Sequence, residues 1–208
     1  MQPITTPRSL KEKQRQEREA LILQAAEEML IEKGYYETSI DEIAARVGIS
    51  KGTVYLHFPS KENLVFAIFE HDMQEFLQFV ERTMSSSKSA REKMEAILLF
   101  MCGGVFNRRI QLLYSLNNSV GLRHLFLEKK GCTFEIWEQL AARISSLLEE
   151  GKAAGEFDAT LPTPVMLSAF FSFLSPKSYE RLMVDGQMTA EEVAKNLGRI
   201  YFNGIAIS

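Results

Sequence analysis

TSIDEIAARVGISKGTVYLHFPSKENL, residues 38 to 64, is the stretch that decides the fold. Ser39 is followed three residues later by Glu42, the pair that makes a capping box: the hydroxyl accepts a first-turn backbone N–H, and the carboxylate reaches back to the amide of the cap. A helix is expected to begin there. Ile40, Ile43, Ala44 and Val47 recur at i, i+3, i+4 and i+7, one apolar stripe of a 3.6-residue helix. Gly48 then supplies the permissive backbone a sharp turn needs. Ser50 is a good N-cap for a second short helix, on which Val54 and Phe58 turn inward while Lys51, Thr53, Tyr55 and His57 face out. Pro59 stops that helix, and Ser60 caps a third beginning at Lys61.

Two short helices around a glycine turn, the second carrying small polar and cationic residues, suit a major groove, which admits one helix. The expected base-edge readers are Lys51, Gly52, Thr53 and Tyr55, headed by Ser50; Gly52 would let the backbone come close to DNA. Thr38, Ser39, Tyr55, His57 and Lys61 are placed for phosphates, which position the module without specifying sequence. Without the chemistry from Lys51 to Lys61 the same pattern describes any compact helical pair. His57 reads equally as a packing residue, Phe58 as core, and Tyr55 as both a packed ring and a backbone-contacting hydroxyl.

The stretch resembles the helix-turn-helix of the TetR family of bacterial transcriptional regulators. The similarity begins with ILQAAEEMLIEKGYYETSI at 22–40, runs through DEIAARVGISKGTVYLHF at 41–58, and closes with PSKENL at 59–64, about the first third of the chain. Tyr55, His57, Phe58 and Lys61 sit where that family has YxHF and a following lysine. The resemblance implies an all-α homodimer, with a three-helix DNA-binding domain and a larger helical domain that binds a ligand and sets the dimer.

Composition sets the outer bounds. The chain has 208 residues, 46% hydrophobic and 25% charged, ordinary values for one or two globular domains. No run reaches the length of a membrane span, and the charged N-terminal stretch lacks the apolar core of a signal peptide, so a cytoplasmic protein is expected. Cys102 and Cys132 lack metal-ligand spacing and read as reduced core thiols. His57, His71 and His124 are widely separated, no catalytic constellation is visible, and neither enzyme activity, metal nor cofactor is expected. The net charge of −3 is awkward for a DNA binder. Its distribution helps: Arg8, Lys11, Lys13, Arg15 and Arg18 stand against Glu12 and Glu17 ahead of the first periodic helix. That arm has two readings, a contact along phosphates or in a minor groove, and a solvated disordered tail.

Periodicity organises the rest as all-α, about nine helices, with a DNA-binding domain over 1–60 and an effector-binding and dimerisation domain over 61–208. Ile22, Ala25, Ala26, Met29 and Leu30 face the core from helix one, which Gly34 ends. Helix four runs from Lys61 toward Met84, long enough to join two domains. Ser85–Ser89 is a loop and cap. Helices follow over about 90–106, with a break near Gly103 and Gly104, then over 110–116 and 121–150, the last ending at Gly151 or Gly155. Pro162 and Pro164 open a phenylalanine-rich helix that Pro176 kinks or ends, and Thr189 with Glu192 caps the final one.

Phe69, Met73, Phe100, Met101, Phe106, Phe134, Trp137, Phe170 and Phe173 are the candidate lining of an apolar effector pocket, although aromatics at helical spacing also read as core or interface. Arg108, Arg109, Arg123 and His124 are candidates for an anionic head group. The two final helices are the expected dimer face. The function read from these elements is a repressor released from a palindromic operator on duplex DNA when an apolar small molecule binds, with helix four as the lever. The alternative is a DNA-binding regulator controlled by a protein partner, its second domain only a dimerisation and interaction module.

Overall fold

The computed structural model describes residues 10–103, 124, 128, 130–173 and 188–206. They form eight helices and, among the described residues, no strand: α1 Leu10–Glu37, α2 Ile40–Val47, α3 Lys51–His57, α4 Lys61–Met84, α5 Ala90–Cys102, α6 Lys130–Ala153, α7 Thr163–Phe173 and α8 Ala190–Gly204. None of the described helices is long and apolar enough to cross a membrane. The expected helix over 110–116, the first turns of the one over 121–150, and Phe106, Arg108, Arg109, Arg123 and Pro176 lie outside the described residues, as do the side chains of Cys132 and Phe173.

α1 begins a dozen residues before its apolar stripe. LKEKQRQEREAL carries no helical stripe of apolar residues, yet it consists almost wholly of good helix formers, and propensity extends the helix back to Leu10. Gly34 breaks the helical path at φ +80°, turning Tyr35 into the core and leaving Tyr36 outside. The orphan carbonyls of that break are satisfied by Thr38, whose hydroxyl is placed to donate to Gly34 O at 2.7 Å and Met29 O at 3.2 Å. The Ser39–Glu42 capping box starts α2, and Gly48, left-handed at φ +76°, ends it with its N–H on the carbonyls of Ala44 and Ala45. Ser50, Ser60, Ser89 and Thr189 cap α3, α4, α5 and α8 by accepting from Thr53, Asn63, Glu92 and Glu192 amides.

Two apolar cores meet on α4. Leu64, Val65 and Ile68 close the first, with Ile22, Ala26, Leu30, Ile43, Val54 and Phe58. From Phe69 onward the helix belongs to the second, in which Met73, Phe76 and Val80 pack with Met94, Ile97, Leu98, Leu140, Ile144, Phe157, Phe170, Tyr201 and Phe202. The change of core therefore falls inside α4, two turns beyond the boundary read at residues 60 and 61. α6 passes straight through Gly151, where a Cβ would lie 2.2 Å from the Phe157 ring folded across it, and stops at Ala153 ahead of a left-handed Gly155. Buried Lys93 on α5 pairs with Glu150 on α6 at 2.8 Å, and the Tyr201 hydroxyl donates to Met166 O at 2.8 Å, its pKa raised by burial.

The apolar stripe of α8, the last of the two helices expected to form the dimer face, is used within the protomer. Val193, Ala194, Tyr201 and Phe202 are buried within the protomer, where α8 packs chiefly against α5. Its apolar stripe is already covered. Among the described residues, the large exposed apolar side chains of this region stand at Phe134 and Trp137 on α6, Val165 on α7, Leu99 on α5 and Ile200 on α8.

Candidate nucleic-acid interface

α2, the Gly48 turn and α3 are held on α1 by a frame of ion pairs. Lys33 meets Glu42 at 2.5 Å, Arg46 lies 3.0 Å from Glu32 and 3.7 Å from Glu28, and Lys51 reaches back to Asp41 at 2.7 Å. The hydrogen bond from Lys33, with those from Ser39, holds the Glu42 carboxyl at a pKa of about 2, far below the carboxylate range. Lys33 and Arg46 tie α2 to α1, and Lys51 ties α3 to α2. Lys51 is thereby engaged, so any base contact it makes begins by exchanging Asp41 for DNA.

α3 presents its outer face without obstruction. Lys51, Gly52, Tyr55 and Leu56 are exposed, Thr53 is half-buried, and Val54 is sealed in the core. The hydroxyls of Ser50 and Thr53 share a hydrogen bond at 2.8 Å, which orders the head of the helix. A Cβ on Gly52 would touch only Ser50 Oγ, at 3.8 Å, so the protein itself does not require glycine there and the position is open to the outside. Leu56, 81% exposed, was missed in the sequence because an apolar residue between Tyr55 and His57 reads as core.

Three of the expected phosphate ligands are engaged internally. Thr38 is 2% exposed, its hydroxyl held by the end of α1, so it shapes the turn and presents nothing to a phosphate. Lys61 donates to the Tyr35 carbonyl and sits 3.9 Å from the centre of the Tyr35 ring, where desolvation lowers its pKa; it clamps α1 to α4. His57 has a side chain only 5% exposed, with Nδ1 3.5 Å from Glu19 Oε2. Ser39 is half-buried at the head of α2, its hydroxyl on Glu42.

The candidate effector residues divide in the same way. Phe69 and Met73 on α4, Met101 on α5 and Phe170 on α7 are buried in the second core, and the Phe100 ring stacks on Phe79 at 4.2 Å and on Phe76 at 5.8 Å. Phe134 and Trp137 are 52% and 40% exposed, because the first turns of α6 precede its buried stripe of Leu140, Ile144, Leu147 and Leu148; Trp137 meets only the edge of Phe171, at 5.5 Å, among the aromatic rings described. They face outward and do not line the core. Cys102 is buried in the second core. On α4, His71, Asp72 and Glu75 bring their donor atoms within 4.8 Å of one another, a grouping that histidine spacing alone had not indicated.

An eight-residue helix, a left-handed glycine turn and an open second helix on a three-helix core define a helix-turn-helix DNA-binding protein. Residues 22–68, the helix-turn-helix and the start of α4, match the model of bacterial regulatory proteins of the tetR family. Over 93% of this chain and 98% of the relative, it is 23% identical to the fatty acid metabolism regulator protein of Bacillus subtilis (strain 168). A transcriptional regulator of the TetR/AcrR family from Thermobifida fusca superposes with a TM-score of 0.72 at 26% identity, covering 90% of this chain and 98% of that one. The regulator FadR from Bacillus subtilis, solved in complex with stearoyl-CoA, superposes with a TM-score of 0.64 at 23% identity, covering 89% and 98%.

Proposed function

We propose that the chain is a dimeric repressor, released from a palindromic operator when an apolar acyl chain enters the core between α4, α5 and α7. The observation that carries the reading is α4 itself, which runs unbroken from the helix-turn-helix core into a core rich in phenylalanine and methionine. In this reading residues 1–60 are the output and 61–208 the sensor. The similarity to a fatty acid metabolism regulator, and to a regulator that binds stearoyl-CoA, supports a long acyl chain over a small polar metabolite. Phe69, Met73, Phe100 and Met101 are the residues proposed to meet it; methionine and stacked phenylalanine can yield without breaking polar contacts. Lys51, Gly52, Thr53 and Tyr55 are proposed to read bases, with Ser39 on the backbone.

Two α3 helices must lie roughly 34–36 Å apart to enter successive major grooves. An acyl chain that favours another spacing weakens DNA binding, and linkage requires DNA to weaken acyl binding equally. The exposed apolar side chains Phe134, Trp137 and Val165 support a dimer face on α6 and α7 in this reading. The test is operator affinity at fixed salt with and without stearoyl-CoA, using DNA selected by the protein from a random pool. Weaker binding in the presence of stearoyl-CoA is expected. Equal affinity, with Trp137 fluorescence unmoved by the ligand, would sink the acyl reading and favour a chain controlled by a protein partner.

A further inference from the structure

The helix-turn-helix body is poor in the charge that DNA attracts. Between residues 20 and 64 seven carboxylates stand against four lysines and arginines. Three of those four cations, Lys33, Arg46 and Lys51, are paired with acids, and Lys61 lies against Tyr35. Sequence-independent affinity for a duplex comes from cations that displace condensed counterions, and this body has almost none to offer.

The missing charge stands on the first turns of α1. Lys11, Gln14, Arg15 and Arg18 fall at i, i+3, i+4 and i+7 and so share one face of a continuous helix. That face turns toward the recognition helix: with Glu12, Leu56 and His57, these four residues line an open cleft of about 550 Å³ between α1 and α3. No acid among the described residues pairs with Lys11, Arg15 or Arg18. Lys13 lies on the opposite side of the helix.

We propose that the N-terminal turns of α1 are a second DNA-binding element, in which Lys11, Arg15 and Arg18 grip the phosphates of duplex flanking the base pairs under α3. Being already helical, the arm loses little conformational entropy when it docks. Exposed Leu56 gives the cleft an apolar wall suited to a deoxyribose face. The element supplies affinity and leaves base choice to α3. The inference rests on the DNA-binding reading and adds a site to it.

The experiment compares wild type, a K11A/R15A/R18A variant and Lys13→Ala, each on selected operator and on random duplex over a range of salt. The triple variant is expected to keep its helical content and its operator-to-random ratio, to bind both DNAs more weakly, and to lose roughly 0.9 from the slope of log affinity against log salt for each contact removed. Lys13→Ala should change little. A triple variant with the wild-type slope, or a loss from Lys13→Ala as large as that from the triple variant, overturns the docked stripe while leaving the DNA-binding reading standing. A wild-type protein that retains no duplex from a random pool overturns both.

Discussion

The two cores that share α4 are made of different side chains. Around α1, α2 and α3 the buried set described is mostly aliphatic, Ile22, Ala25, Ala26, Ile40, Ile43, Ala44 and Val54, with Tyr35 and Phe58 as its aromatics. Beyond Ile68 the buried set is ringed, with Phe69, Phe76, Phe157, Phe170, Tyr201 and Phe202, and is filled out by Met73, Met94, Met101 and Met166. The first core brings short helices to a fixed angle, and its surface ion pairs and caps leave few arrangements open. The second joins longer helices through large flat or pliable groups. Rigid presentation and accommodation are thus assigned to opposite ends of one helix.

The largest way to break this contrast is in the second core. Phe76→Ala removes a fully buried ring and one side of the Phe100 stack, and should cost about 3–5 kcal/mol of stability, read from the denaturant midpoint. Protein that remains folded should still bind operator. If it is no less stable than wild type, the rings are not the framework described. A smaller effect of a different kind is expected in the first core. Gly48→Ala puts a Cβ where the backbone is left-handed at φ +76°, costing about 1–2 kcal/mol. Nothing lies within 4 Å of that Cβ, so the penalty is conformational and not steric. Because the turn sets the angle of α3, operator affinity should fall by more than stability alone accounts for.

The smallest effect sharpens the comparison through pH. Glu42 has its pKa depressed from 4.5 to about 2, so the stability it adds is complete above about pH 4.5 and drains away as pH falls toward 2. Glu42→Gln should flatten the acid limb of the pH–stability curve in that window and leave it unchanged near neutrality in shape. An unchanged acid limb would mean that Lys33 and Ser39 do not hold the carboxylate as described.

The first core was legible because its signals are local. Ser39 with Glu42, Gly48, Ser50 and Ser60 each declare an element boundary within four residues, and the structure places helix ends at those points. The same held for Thr189 with Glu192 far down the chain. What the sequence hid depends on distant partners. The start of α1 was invisible to periodicity because the arm has no apolar stripe, although its propensities were in plain view. Lys61 reads as a free cation until the break at Gly34 brings the Tyr35 carbonyl to it. Gly151 reads as a helix stop until Phe157 is seen to cover it, and a stripe rule cannot say that Phe134 and Trp137 face away from the core. Within the proposed site, residue types and spacing located α3, while the engagement of Thr38, Lys51 and His57 belongs to tertiary contacts.

The switch between cores at Ile68 and Phe69 occurs within uninterrupted hydrogen-bonded helix, so loss of either core leaves the other packed on a helix with a newly frayed end. They should unfold in one cooperative step. A molecule held in the phenylalanine core at a hundred times its dissociation constant would then raise the unfolding free energy of the whole, helix-turn-helix included, by about 2.7 kcal/mol. The DNA-reading end would survive heat and proteolysis better in the presence of a compound it never touches, even though that compound is the one proposed to drive it off DNA.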